Sequence, residues 1–309
     1  MLGLGFLLAL FSSASLGLTV VTIRRGVLKG SPAVATLITV LLGVPLFLLA
    51  NAVSGQLFRT AEITFPGYLA LFVTGILQMA IGRYSFYRSI QAIGGNQAEL
   101  FQALQVPLSI AVALIFLGES LNLQSTIGVG LVLAGPVLVV LARTPPKPAV
   151  PASTSDVTST TPMAPEVRMQ EGLLFGLIAI VSFSAGDVLA RGVLADTGLG
   201  LLGGLVIYGA AAVALLVWVA IAGRFHELRE ASPARRWFLL AAVIGFLAQM
   251  SRYVALALAP VYVVVPLMRT VPLFVLVFSF FINRRLEVFS PKIVMGVLVA
   301  VLGLIILAL

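Results

Sequence analysis

Ten apolar stretches, each long enough to cross a bilayer, alternate with short polar or charged connections along this chain. They run over 4–23, 33–51, 67–87, 97–117 and 125–142, then 172–190, 200–222, 236–256, 262–282 and 292–309. About 20 apolar residues suffice for one helical crossing. A lone segment in hydrocarbon can satisfy its backbone only as a helix. The pattern therefore predicts an all-α polytopic membrane protein with ten transmembrane helices. Between the fifth and sixth stretches, 143–170 holds six Pro and eight Ser/Thr and no apolar period. That composition reads as a solvated linker. It divides the chain into a first five-helix unit, 1–142, the linker, 143–170, and a second unit, 171–309.

Composition agrees with the pattern and narrows it. Of 309 residues, 60% are hydrophobic and 10% charged, against about a quarter charged in soluble domains. Mean hydropathy is +1.14. Too few charges remain to coat a water-facing surface, which excludes a soluble enzyme and a disordered chain. The absence of Cys excludes a disulfide scaffold. Met1 to Leu10 lacks a basic region, and Arg24, Arg25 and Lys29 follow the first apolar run. The first stretch is therefore expected to be retained as a helix rather than cleaved as a signal.

The halves read as copies. Ser13-Ala-Ser-Leu-Gly17 matches Ser182-Phe-Ser-Ala-Gly186, 169 positions on, and Arg83-Tyr84 matches Arg252-Tyr253 at the same offset. Each Arg-Tyr follows a Gln-Met, at Gln78 and at Gln249. Pro107 answers to Pro272, and Gly130 to Gly296. Charge then orients them. Basic loops follow the first and third spans of the first half, but the second and fourth spans of the second half. An odd number of spans per unit inverts the second copy, so one side collects 14 of the 19 Lys/Arg. The positive-inside rule makes that side cytoplasmic and both termini external. Inverted repeats of this kind are the architecture of alternating-access transporters.

The stretch Arg252 to Pro272 reads Arg-Tyr-Val-Ala-Leu-Ala-Leu-Ala-Pro-Val-Tyr-Val-Val-Val-Pro-Leu-Met-Arg-Thr-Val-Pro. It resembles the signature stretch of the EamA family of the drug/metabolite transporter (DMT) superfamily. The first half repeats it from Tyr84 to Pro107 and ends in Gly118-Glu119, similar to that family's Gly-Glu after its fourth helix. The second half departs from it, with Asn283-Arg284-Arg285 at that point. The resemblance implies a ten-helix bundle that exports small metabolites, with its fifth and tenth helices peripheral and contacting partners.

Ionisable and amide groups inside the apolar runs mark functional or paired positions, because burying them in hydrocarbon is costly. Glu99, Gln102, Gln105 and Ser109 share one helical face, either lining a cavity or forming a polar seam. Arg269 lies between Pro266 and Pro272 and calls for an anion or a carboxylate such as Glu99. Ser12, Ser15, Thr19 and Thr22 form a hydroxyl stripe in the first span, and Asp187 with Arg191 can pair along the sixth. Substrate contacts are assigned to Glu99, Gln102, Gln105, Arg269, Gln78, Ser15 and Tyr253. Coupling and gating are assigned to Glu99, Asp187, Arg83 and Arg252. Snorkelling of the two arginines toward the interface is the competing reading.

The functional expectation is a secondary transporter exporting a small polar or amphipathic metabolite, such as an amino acid, by alternating access, with proton coupling as an option. A lipid-linked-sugar flippase or an uncoupled facilitator could use the same fold. No phosphate-binding loop occurs, and the sole His, His226, sits among loop charges, which disfavours ATP drive and an intramembrane enzyme. No metal or cofactor is expected. The expected partners are a small-molecule substrate, membrane lipids and a second copy in a homo-oligomer, with no nucleic acid. The expected location is the cell membrane, plasma or inner.

Overall fold

In the computed structural model the described residues are 2–102, scattered positions from 104 to 134, 168–223, 232–258, 270–284, 286 and 291–308. Most of span five and of the linker, with Pro107, Ser109, Gly118-Glu119, Pro266 and Arg269, lie outside them, as do the side chains of Arg191 and Tyr253.

The first half contains α1 (Leu2–Val27), α2 (Pro32–Ser54), α3 (Phe65–Thr74), α4 (Arg83–Ile93) and α5 (Gly95–Gln102). The second contains α6 (Met169–Thr197), α7 (Gly200–Ile221), α8 (Ser232–Leu258), α9 (Val271–Ile282) and α10 (Pro291–Ala308). Between α3 and α4 the π-helical segment Gly75–Gly82 continues the helix, so Phe65–Ile93 forms one rod of spanning length. Local signals fix several ends. Ser31 Oγ accepts from Ala33 N, Pro32 starts α2, and Gly55 closes it with φ 74°. Thr64 caps α3 in the same way, through Gly67 N.

The copies run in opposite directions. The C-terminal end of α1 meets that of α4, where Gln91 Nε2 donates to Val27 O at 2.6 Å. The same end of α4 meets the start of α6: Ser89 Oγ donates to Gly172 O at 2.8 Å. Thus α1 arrives at this face and its copy α6 departs from it. At the other face, the end of α2 meets the start of its copy α7, and Asn51 Nδ2 donates to Leu201 O at 2.8 Å. The packing has the matching two-fold symmetry. Helix α1 packs on α8 as α6 packs on the α3–α4 rod, while α2 faces α7 and α5 faces α9. This is an all-α polytopic membrane protein built from two inverted repeats.

Small residues let these helices approach. A Cβ on Gly43 would overlap the Tyr208 ring, and one on Gly75 would overlap Ile207 O. Tyr208, Phe47 and Phe246 form the centre of one interior cluster, with Phe47 and Phe246 edge to face at 5.0 Å. Phe238 fills a second, against Gly26 and Gly30. Leu7, Leu49, Leu177 and Val213 point outward, as a lipid-facing surface requires.

Candidate functional site

Asp187 is the hub of the polar interior. Its Oδ1 accepts from Gln78 Nε2 at 2.7 Å and from Arg252 Nη2 at 3.1 Å, and its Oδ2 accepts from Gln105 Nε2 at 2.8 Å. One carboxylate therefore ties α6 to the α3–α4 rod, to α8 and to the chain just beyond α5. Gln78 also donates to Phe183 O at 3.2 Å, which fixes its amide against α6. Gly186 permits the approach, since a Cβ there would overlap Gln78 Cγ. The side chains of Arg252 and Asp187 are 24% and 26% exposed, so the ion pair sits half-open rather than sealed in the core. Asp187 lies 18 residues past the start of α6 and 10 before its end, or about 27 Å and 15 Å along the axis. The hub thus belongs to the half of the membrane away from the face where α6 begins.

The repeated Gln-Met and Arg-Tyr pairs show how one pattern reaches two outcomes. In α8 three positions separate Gln249 from Arg252; in the rod five separate Gln78 from Arg83. The two extra residues coincide with the π-helical segment, whose wider turns absorb insertions without breaking the helix. Gln78 then faces Asp187, while Arg83, 9% exposed, turns into the protein. There it donates to Tyr208 Oη at 2.7 Å and stacks 5.1 Å from that ring. Interior pairing, not snorkelling, accounts for Arg83. Arg88 instead reaches Glu171, which Arg168 also contacts at 2.7 Å.

At the face where α1 ends, a second polar assembly joins the two halves. Arg24, 3% exposed, donates through Nη1 to Ile90 O at 2.7 Å and Gln91 O at 2.9 Å, and through Nη2 to Leu286 O at 3.4 Å. It satisfies carbonyls at the C-terminal end of α4, where the helix dipole favours a cation. Arg25 donates to Asn283 Oδ1 at 2.8 Å and to Ile282 O, with its guanidinium 5.0 Å from the Trp237 ring. Asn283 Nδ2 donates back to Val21 O at 2.8 Å. Asn283, the first residue of the Asn-Arg-Arg found where Gly-Glu was expected, is thus part of a latch between α1, α4 and α9. Arg168, Arg235, Arg236 and Arg284 stand around it, at the start of α6, the start of α8 and the end of α9. On the opposite face Arg59 forms a two-pronged pair with Glu62, at 2.6 and 2.7 Å. The bond from Arg59 holds the Glu62 carboxyl below its ordinary value, and the pair adds no net charge to that face.

Of the residues singled out from the sequence, the structure gathers Gln78, Gln105, Asp187 and Arg252. Gln102 is buried one turn from Gln105, Glu99 is half-buried on α5, and Ser15 is buried in α1 with its carbonyl bonded to Thr19 Oγ1 at 2.8 Å. Asp187 takes Arg252 from another helix; the pairing with Arg191 that sequence spacing offers involves a side chain outside those described. Sequence reasoning missed Tyr208, Arg24 as a buried group, and Asn283 as a latch. A lone tyrosine in the apolar α7 was the available signal for the first.

Two inverted, apolar repeats around an ion pair define a polytopic membrane protein with a polar interior. The model of the EamA-like transporter family matches residues 3–141 and again 170–309, and the chain belongs to that family of membrane transporters. A protein from Sinorhizobium sp., described as an uncharacterized transporter in the cobO 3′ region, is 28% identical over 131 residues. That match covers 42% of this chain and 92% of the relative, so the relative corresponds in length to about one repeat. A crystal structure of a protein 16% identical in sequence superposes with a TM-score of 0.60, over 98% of this chain and 94% of its own. It supports the fold.

Proposed function

We propose that this protein is a secondary transporter that exports a small polar or amphipathic metabolite, an amino acid being the leading class, by alternating access around Asp187. The observation that carries the reading is the half-open Asp187–Arg252 pair, whose carboxylate is also bonded to two further elements through Gln78 and Gln105. Charges of both signs 3.1 Å apart complement a zwitterion, whose ammonium and carboxylate can each replace one partner of the pair. The carboxylate also links α6 to Gln78 and Gln105 of the first half, so exchanging its partners loosens contacts that hold the halves in one arrangement. Asp187 and Glu99 are the carboxylates available for proton coupling. The basic face is cytoplasmic by the positive-inside rule, in the cell membrane, and the Arg24 latch closes that side.

Counterflow of radiolabelled amino acids in proteoliposomes tests this. Wild type exchanges at least one amino acid, Asp187→Asn abolishes exchange, and Glu99→Gln removes only the response to a pH gradient. Wild-type exchange by Asp187→Asn would overturn the assignment of the hub.

A further inference from the structure

Two buried amides next to the hub have hydrogen-bonding capacity that the protein leaves unused. Neither Nε2 nor Oε1 of Gln102 has a partner, and Gln249 Oε1 has none either. Gln102 is 6% and Gln249 8% exposed. Buried amide groups in native proteins are nearly always paired, so each exception requires a reason. Both sit in the same relation to Asp187. Gln249 is three residues before Arg252 in α8, and residues three apart share a helical face; Gln102 closes α5 three residues before Gln105, beside the turn in which Leu104 N donates to Phe101 O at 3.0 Å. Gln105 and Arg252 each bond the Asp187 carboxylate. Helices α5 and α8 both run away from the latched face, because α5 follows the end of α4 and α8 begins beside Gly30 and Arg25. Gln102 and Gln249 therefore both lie about one turn, roughly 4.5 Å, from the hub toward the latch.

We propose that Gln102 and Gln249 form an uncharged subsite that receives a donor–acceptor group of the substrate, such as an amide or hydroxyl, next to the charged group held at Asp187. The proposal rests on the reading of Asp187 as the substrate site and adds the second contact point. The Gln102 amide supplies both a donor and an acceptor, and Gln249 supplies an acceptor through Oε1. A solute with only a charged head and an apolar body leaves these groups unpaired and binds less well. Sites built to hydrogen-bond a substrate reject the analogue that lacks the group.

Gln102→Leu and Gln249→Leu test the subsite in the full chain, in detergent and in proteoliposomes. Removing an unpaired buried amide should raise the ligand-free Tm, by about 2–4 °C. The probes are the near-isosteric pairs L-threonine and L-valine, L-glutamine and L-norleucine, and L-tyrosine and L-phenylalanine. Wild type should bind the polar member of at least one pair about tenfold or more tighter, and either variant should erase that preference. A fall in Tm together with an intact preference would show that the amides serve the fold, through a bridging water for example, and would overturn the proposal. So would a wild type that prefers no polar member. If Asp187→Asn abolishes binding while both Leu variants keep the preference, the subsite fails and the hub stands. If Asp187→Asn binds normally, the hub itself fails.

Discussion

Helices α1 and α6 are two versions of one element, and where they differ the molecule acquires its polarity. Both carry Ser-x-Ser-x-Gly, and in both the glycine lies where another side chain crosses: Phe274 at Gly17, Gln78 at Gly186. One residue further on, Leu18 stands where α6 has Asp187; seven and eight residues on, Arg24 and Arg25 stand where α6 has Val193 and Leu194. The shared positions carry packing and the unshared ones carry charge. Duplication thus supplies a nearly symmetric bundle, and three substitutions at matched positions give it one carboxylate hub and one latched face. The hub lies in the membrane half opposite the latch, as a site shut off from the basic side requires.

The largest expected effect comes from making α6 resemble α1 at the hub. Asp187→Leu strands the Arg252 guanidinium; breaking a fully buried ion pair from one side costs about 3–5 kcal/mol, and the loss here should fall below that range because both side chains are about a quarter exposed. Adding Arg252→Leu should recover most of that stability and none of the transport. Thermal unfolding with exchange assays on the single and double variants checks this; transport recovered in the double variant would reduce the pair to a structural clip.

Next in size is the latch. Arg24→Met removes charge-assisted bonds to the α4 carbonyls, worth about 1.5–3 kcal/mol. It should also raise labelling of a Cys at Ser15 by an impermeant thiol reagent added from the basic side only. Arg24→Lys restores charge without the fork whose Nη1 serves Ile90 and Gln91 while Nη2 reaches Leu286, so its labelling should be intermediate. A loss of stability with no change in sidedness would mean that Arg24 merely caps α4.

Much of this was legible in the sequence, and the remainder has a common cause. Spans one, two, three, six and seven are helices over the expected stretches, all but the seventh extended by a few residues because the helices continue past the hydrocarbon. Arg24 and Arg25 fall in the last turn of α1 for that reason. Polar residues inside apolar runs pointed to Gln78, Gln105, Asp187 and Arg252 one by one. Their convergence was not legible, because it depends on which helices become neighbours. The packing of α6 among the rod, α5 and α8 supplied Asp187 with partners 65 to 109 residues away, which no local spacing announces. Arg24 was legible as a topology charge, but its burial was not, since carbonyl partners carry no sequence signal. The pairing of Glu99 with Arg269 involves a residue outside those described.

The smallest effects make the sharpest use of the two copies. Gly17→Ala and Gly186→Ala are the same substitution at matched positions, yet their consequences should cross. At Gly17 the new methyl meets Phe274 Cβ at 2.7 Å and the backbone of Phe274 and Val275 at 3.1 Å. Backbone and Cβ atoms cannot step aside by changing rotamer, so α1 and α9 must separate, at about 1–3 kcal/mol. None of these atoms belongs to the hub, so the affinity for an exchanged amino acid should hold. At Gly186 the methyl overlaps Gln78 Cγ and approaches Cδ and Nε2, atoms of a side chain free to swing. Stability should fall less there, but the swing withdraws Nε2 from Asp187 Oδ1 and from Phe183 O, and binding should weaken. Unfolding midpoints and exchange affinities measured for both variants give a two-by-two comparison. If Gly186→Ala loses stability without losing affinity, Gln78 belongs to the packing of α6 against the rod and not to the site.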